Sequence, residues 1–176
     1  MTLENVLDAI PQYAKDIRVN LGNVLKQTEL TPQQLWGTAV ASAIASRTPA
    51  VIRGIESEAV KHVSEQTVEA ARTAAAIMAM NNVYYRFLHL TSNEKYSSIP
   101  ARLRMQGLRS HGVDQTDFEL WCTAVSAINN CPACVASHEK VVRDKGLNEE
   151  QVAAAIRIAA VIHAAATAIA EQQAQL

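Results

Sequence analysis

The chain has 176 residues, of which 49% are hydrophobic, 19% charged and 5% aromatic. This length suits one domain, or two small pseudo-repeated halves that share a core, and we expect a single domain over residues 1–176. The formal net charge of -1 gives no electrostatic reason to expect a nucleic acid or an anionic membrane as partner.

The N-terminus lacks the pattern of a secretory signal peptide, because Glu4 and Asp8 stand in a stretch that would need a basic and then an apolar region. We therefore expect a cytoplasmic protein, whose three cysteines would not form a fully paired disulfide framework. The most apolar run, residues 152–170, is mostly alanine and contains Arg157 and His163. We expect a buried or interface helix there, since the run is too weakly hydrophobic for a membrane span.

Helical periodicity runs along the chain without the alternating pattern of strands, so we predict an all-α fold. The first helix is expected over residues 3–25, with a break near Pro11 and a candidate break near Gly22. Residues 91–104 are predicted to be a loop because polar residues and Pro100 interrupt the pattern. The remaining helices are predicted to begin at Thr31-Pro32 and Thr48-Pro49 and to span about 67–90, 114–129, 132–145 and 148 onward.

Two stretches of the chain are nearly identical. "QLWGTAVASAI" (34–44) and "ELWCTAVSAI" (119–128) differ by one deletion and a few substitutions. We predict a duplicated helical unit, with halves at about 31–90 and 114–170. Each half has a tryptophan in the shared motif, and both are expected to anchor the core.

The two halves differ in their chemistry. The first has neither cysteine nor histidine at the positions that match Cys131, Cys134 and His138, and Gln34 stands where the second has Glu119. Residues needed for the fold should occur in both halves, whereas residues needed for a reaction are required in one half. We therefore predict that the active site lies in the second half.

The stretch "NNCPACVASHEK" (129–140) is typical of a dithiol redox centre. Pro132 suits the first turn of a helix, which places Cys131 at the helix start and Cys134 one turn in. His138 follows on the same helical face. The helix N-terminus favours thiolates, and the spacing brings the two sulfurs within bonding range. A buried carboxylate at Glu119 would serve as a proton acceptor for this site.

A zinc site and two structural cysteines are the alternatives. Zinc would need four ligands, and a set of both cysteines with His138 and Glu119 would be unusual for a structural site. No other two histidines stand at the spacing of a zinc site. Cys122 is expected to be a small core residue. Residues 78–82, "MAMNN", are expected to serve helix packing. The remaining histidines are His62, His89, His111 and His163.

The sequence resembles the alkylhydroperoxidase D (AhpD) family, within the broader carboxymuconolactone decarboxylase-like superfamily. The resemblance rests on "ELWCTAVSAINNCPACVASHE", the upstream "LW" repeat, "AAAIMAMNNVYYR" and "PQYAKDIRVNL", and extends to about residue 170. It implies an all-α AhpD-like fold, a homotrimer, and an antioxidant thiol-dependent peroxidase that reduces organic hydroperoxides and hydrogen peroxide. The decarboxylase branch of the superfamily does not need a Cys-x-x-Cys motif, so the dithiol disfavours a lyase.

The resemblance also assigns roles. It implies that Cys134 is the peroxidatic thiol, that Cys131 is the resolving thiol, and that Glu119 and His138 form a proton relay. Cys131, nearer the helix end, is expected to be the exposed sulfur that an incoming dithiol attacks. Family members carry a histidine just before the second cysteine, where this chain has Ala133, and we expect weaker peroxidase activity in consequence.

The implied redox partners lie outside the chain. No bound cofactor or metal is expected. A lipoyl group (dihydrolipoamide) on a 2-oxoacid dehydrogenase subunit would supply electrons, and dihydrolipoamide dehydrogenase would recharge it with NADH. The resemblance further implies transfer of electrons to a peroxiredoxin of the alkyl hydroperoxide reductase C type. A zinc-binding or redox-adaptor protein without turnover is the alternative function.

Overall fold

A computed structural model describes residues 1–175, which form nine α-helices and two short 3-10 turns without any strand. The all-α prediction is confirmed. The helices are α1 (Leu3–Ala9), α2 (Lys15–Val24), α3 (Pro32–Ser46), α4 (Pro49–Ala59), α5 (Glu65–Leu90), α6 (Glu94–Ser97), α7 (Gln115–Ile128), α8 (Pro132–Asp144) and α9 (Glu149–Ala174). The 3-10 turns are Gln12–Ala14 and Gln106–Leu108.

Local sequence determines most helix starts. Thr31 caps α3 through a capping box with Gln34, and Pro32 occupies the first helical position. Asn148 caps α9 in the same way with Gln151. These side chains satisfy backbone N–H groups that would otherwise lack partners.

Three predicted boundaries were wrong. Gly22 does not break the second helix, which continues to Val24. The long helix α5 begins earlier than predicted, because Ser64 accepts a hydrogen bond from the Thr67 N–H and caps it. Residues 91–104 are not wholly a loop, since Asn93 caps the short helix α6 by accepting from the Lys95 N–H.

Helix α3 lies at the centre of the core and packs against α5, α7 and α9. Trp121 of α7 is fully buried, and Trp36 of α3 is 6% exposed, so both predicted core anchors are confirmed. The two helices approach closely at Gly37, where a Cβ atom would overlap the Trp121 indole ring. The absence of a side chain at Gly37 is therefore what lets the tryptophan lie between these helices.

Helix α9 is long and apolar enough to cross a membrane by length and composition, with a mean hydropathy of 1.9 over its most apolar window. The expectation that this run is too weakly hydrophobic was therefore wrong. More than half of the window, 56%, is buried inside the protein. The helix packs against α2, α3 and α7, which is the environment of a core helix.

The series α3–α4–α5 and α7–α8–α9 have the same order and similar lengths, 15, 11 and 26 residues against 14, 13 and 26. Their packing also corresponds, since α3 contacts α9 and α7 contacts α5. A duplicated unit would produce this arrangement, and the duplication itself stays a prediction. In the second series, the turn between α7 and α8 carries the candidate site.

Candidate active site

Cys131 and Cys134 form a disulfide at the start of α8, with their Cα atoms 5.3 Å apart. Cys131 is the N-cap residue and Pro132 holds the first helical position, as predicted. Asn130, with a φ of 54°, turns the chain sharply between α7 and α8. The chain can make this turn because the Cys131 N–H donates to the Ser126 carbonyl, 3.1 Å away, at the end of α7.

The two sulfurs differ in exposure, in the opposite sense to the prediction. Cys131 is completely buried, whereas Cys134 is 5% exposed. The tight turn folds Cys131 back against the end of α7, so its place at the helix start does not expose it. An open depression of about 520 Å³ passes over this turn, yet the Cys131 side chain remains covered. Cys134 therefore keeps the larger exposed fraction of the two buried cysteines, and it lines the cavity described next.

A cavity of about 250 Å³ lies against Cys134. Its walls come from α5, from the segment around the second 3-10 turn, and from α8. One side is apolar, and the other offers amide, hydroxyl and imidazole groups. The lining residues are Asn81, Tyr85, Met105, Leu108, Ala133, Cys134, Ser137 and His138.

Glu119 of α7 and His138 of α8 form an ion-pair contact beside this cavity. Glu119 Oε2 lies 2.5 Å from His138 Nδ1, and the two side chains are 13% and 15% exposed. The structure thus brings together all four predicted site residues. Gln34, which matches Glu119 in the first half, caps its own helix and donates to Asp117 Oδ1 at 2.9 Å. The Gln34–Asp117 contact connects α3 to α7 and stabilises the fold.

A second set of hydrogen bonds connects Glu119 to Gln115 and, through Gln115, to His111. Gln115 Nε2 donates to Glu119 Oε1 at 2.8 Å, and Gln115 Oε1 lies 2.9 Å from His111 Nε2. Because the Gln115 amide nitrogen donates to Glu119, its oxygen must accept from His111. The Val113 N–H donates to His111 Nδ1, so the His111 ring lies between this N–H and Gln115.

Burial raises the pKa of Glu119, but the hydrogen bond and charge of His138 and the hydrogen bond from Gln115 outweigh it. The net effect lowers the pKa, so Glu119 is a carboxylate at neutral pH. His138 Nδ1 then carries the proton that the carboxylate accepts. This leaves His138 Nε2 as the nitrogen available to the cavity.

Cys122 belongs to the core. It is fully buried, and burial together with the Glu119 charge raises its pKa well above the ordinary value. Cys122 therefore stays a neutral thiol. This agrees with the prediction of a small core residue.

Sequence reasoning missed two residues of the site. Gln115 had no signal of its own, although it is spaced by four from both His111 and Glu119, as neighbours on a helical face are. Asn81 was assigned to packing together with its neighbours in "MAMNN". The structure confirms packing for Met78 and Asn82, which are buried, but Asn81 lines the cavity.

Within residues 1–175, no group of three or more His, Cys, Asp or Glu side chains is placed to hold a metal ion. The two thiols that would have to ligate zinc are bonded to each other.

Known proteins are similar to this chain over most of its length, and one family model matches its second half. The sequence model of the carboxymuconolactone decarboxylase family matches residues 95–172. The alkyl hydroperoxide reductase AhpD of Solibacter usitatus is 58% identical over 163 residues, covering 93% of this chain and 92% of the relative. The AhpD of Acidobacterium capsulatum is 58% identical over 165 residues (93% and 90%), and that of Frankia alni is 50% identical over 169 residues (96% and 91%).

Proposed function

Because this chain belongs to the alkyl hydroperoxide reductase AhpD family, we propose that it is an antioxidant, thiol-dependent peroxidase for organic hydroperoxides and hydrogen peroxide. The observation that carries the proposal is the Cys131–Cys134 disulfide, whose Cys134 sulfur meets a cavity shared with His138. The first relatives match over almost their whole length, so the proposal concerns the whole protein.

The cycle begins with both cysteines reduced. His138 Nε2 accepts the Cys134 proton, and the Glu119 carboxylate stabilises the imidazolium that forms. The N-terminus of α8 further favours the thiolate, because its free N–H groups carry partial positive charge. Cys134 is the peroxidatic cysteine in this scheme, and Glu119 and His138 are its proton relay.

The Cys134 thiolate attacks the terminal oxygen of the hydroperoxide. The S–O bond forms as the O–O bond breaks, and the electron pair leaves with the alkoxide, which takes the proton from His138. The products are an alcohol and a Cys134 sulfenic acid. The apolar side of the cavity, with Met105 and Leu108, suits the organic part of such a substrate.

Cys131 then resolves the sulfenic acid. Its sulfur bonds to Cys134, and the sulfenic hydroxyl leaves as water with the Cys131 proton. The enclosed position of Cys131 suits this role, because its thiol meets Cys134 and is shielded from the peroxide.

We propose that a dihydrolipoyl group recharges the disulfide. One lipoyl thiolate attacks the Cys134 sulfur from the cavity and releases Cys131, and the second closes the lipoyl disulfide and frees Cys134 as a thiol. The donor would be a lipoylated 2-oxoacid dehydrogenase subunit, reduced by dihydrolipoamide dehydrogenase with NADH. Transfer to a peroxiredoxin of the alkyl hydroperoxide reductase C type, a homotrimeric assembly and a cytoplasmic location complete the proposal.

The alternative functions predict different measurable properties. A zinc-binding or redox-adaptor protein would contain stoichiometric metal or lack turnover, which metal analysis with a thiol count would reveal. A lyase of the decarboxylase type would act without the dithiol. The match of residues 95–172 to a family named for decarboxylation is compatible with a lyase, but the disulfide beside the cavity favours the peroxidase.

A coupled assay tests the proposal. Peroxide-dependent NADH oxidation is followed with dihydrolipoamide dehydrogenase and lipoamide, using the parent protein and the Cys134→Ser variant. We expect turnover by the parent and none above background by the variant. Equal rates would reject the dithiol mechanism, and an inert parent would reject the peroxidase function.

A further inference from the structure

Two neighbouring asparagines on α5 have opposite hydrogen-bonding states. Asn82 donates through Nδ2 to Ser126 Oγ at 2.9 Å, and its Oδ1 accepts from Asn129 Nδ2 at 2.9 Å. Asn81 is also buried, with 5% exposure, but its Oδ1 accepts no hydrogen bond from residues 1–175. A buried amide oxygen without a partner costs about 1–3 kcal/mol, so the unpaired oxygen of Asn81 calls for an explanation.

The position of Asn81 indicates what its amide is for. It lines the same cavity as Cys134 and His138, on the helix that faces α8 across the site. A buried polar group without a partner calls for an explanation, and a catalytic role is one such explanation. Asn81 Oδ1 is enclosed in this structure, and rotation about the Cβ–Cγ bond, which is soft in asparagine, is needed to bring it to the cavity.

We propose that the Asn81 amide binds the hydroperoxide group in front of Cys134. Oδ1 accepts the O–H of the terminal oxygen, and Nδ2 donates to the oxygen that carries the organic group. A primary amide has an acceptor oxygen beside a donor NH₂ group. The hydroperoxide group has a donor O–H beside an acceptor oxygen, so the two groups are complementary. This inference rests on the proposed peroxidase function.

The contact to Nδ2 strengthens during the reaction. As the Cys134 thiolate attacks the terminal oxygen, the O–O bond breaks and the electron pair moves to the organic oxygen. The Nδ2–H then faces an alkoxide until His138 delivers its proton. A donor aimed at a developing oxyanion stabilises the transition state more than the bound substrate, so Asn81 is a catalytic residue.

The test compares Asn81→Leu and Asn81→Ala with the parent, and uses Asn82→Leu as the matched control. We expect both Asn81 variants to lose on the order of 10²-fold in kcat/KM for peroxide. The loss should be equal for hydrogen peroxide and cumene hydroperoxide, because both contain the group that the amide binds.

Thermal unfolding separates this role from a structural one. We expect the Tm of Asn81→Leu to equal or exceed that of the parent, because the variant removes an unpaired buried amide. The Tm of Asn82→Leu should fall, because it removes the side-chain hydrogen bonds of Asn82 to Ser126 and Asn129. Parental peroxide activity in either Asn81 variant, or a fall in the Tm of Asn81→Leu like that of Asn82→Leu, would overturn the inference. A parent without peroxide activity would instead reject the proposed function on which the inference rests.

Discussion

Glu119 Oε2 and His138 Nδ1 lie 2.5 Å apart and join α7 to α8 beside the Cys131–Cys134 disulfide. The contact fixes the orientation of the imidazole. With Nδ1 bound to the carboxylate, Nε2 is the basic atom that remains for Cys134. A carboxylate in this position also stabilises the imidazolium, so the pair is expected to act as one unit.

Replacing Glu119 with glutamine keeps the shape of the side chain and removes its charge. We expect Glu119→Gln to lower peroxide reduction on the order of 10²-fold, because the imidazolium of His138 loses its counter-charge. The measurement is the rate of the coupled NADH assay at neutral pH. The same substitution at the exposed Glu150 is the control, and a parental rate in Glu119→Gln would remove the carboxylate from the relay.

Gln115→Leu tests the hydrogen bond that Gln115 donates to Glu119. The pKa of Glu119 is lowered in the folded protein, partly by Gln115. Its ionisation therefore contributes stability above the unfolded pKa of about 4.3, and the contribution is lost as the pH falls through the folded pKa. We expect the variant to be less stable by about 1–2 kcal/mol at pH 7, with the difference shrinking below about pH 4.3.

Unfolding of both proteins at pH 7 and at acidic pH measures this difference. Gln173→Leu, at an exposed position on the last helix, controls for the added apolar side chain. A stability difference for Gln115→Leu that is the same at both pH values would contradict an electrostatic role for Gln115.

Ala133→His restores the histidine that related proteins are expected to carry. Ala133 is exposed and lines the Cys134 cavity, so an imidazole there would be available for proton transfer. We expect the rate of peroxide reduction at neutral pH to rise several-fold. Ala136→His, on the same helix but in the depression over Cys131, should have no such effect. An unchanged rate in Ala133→His would refute the expectation.

Gly37→Ala tests the close approach of α3 and α7. The new Cβ would overlap the Trp121 indole ring, and we expect a destabilisation of about 1–3 kcal/mol by chemical unfolding. Gly22→Ala is the matched control, since nothing lies within 4 Å of a Cβ there. The control should stabilise by up to about 1 kcal/mol through helix propensity. Equal stability of Gly37→Ala and the parent would show that the ring can move aside.

Local signals in the sequence predicted the features that depend on neighbouring residues. Thr31 and Asn148 cap their helices because the capping partner is three residues away. Cys131, Cys134 and His138 lie on one side of α8 because residues three, four or seven apart share a helical face.

Features that depend on tertiary packing were missed. The burial of Cys131 follows from the turn that folds it against α7, and the helix-start motif does not contain that information. Asn81 belongs to the site because α5 packs against α8 and places it in the wall of the cavity. Gln115 is a different case, because its hydrogen bond to Glu119 is local to α7. Gly22 shows the reverse error, because a glycine can remain inside a helix whose surroundings support it.

Trapping of the sulfenic acid tests the central claim, that Cys134 attacks the peroxide and Cys131 resolves it. Reduced Cys131→Ser and Cys134→Ser are each treated with one equivalent of cumene hydroperoxide and then with dimedone, and the adduct is located by mass spectrometry. We predict a stoichiometric adduct on Cys134 in Cys131→Ser and none on Cys131 in Cys134→Ser. An adduct on Cys131 in Cys134→Ser, with none on Cys134 in Cys131→Ser, would contradict the account.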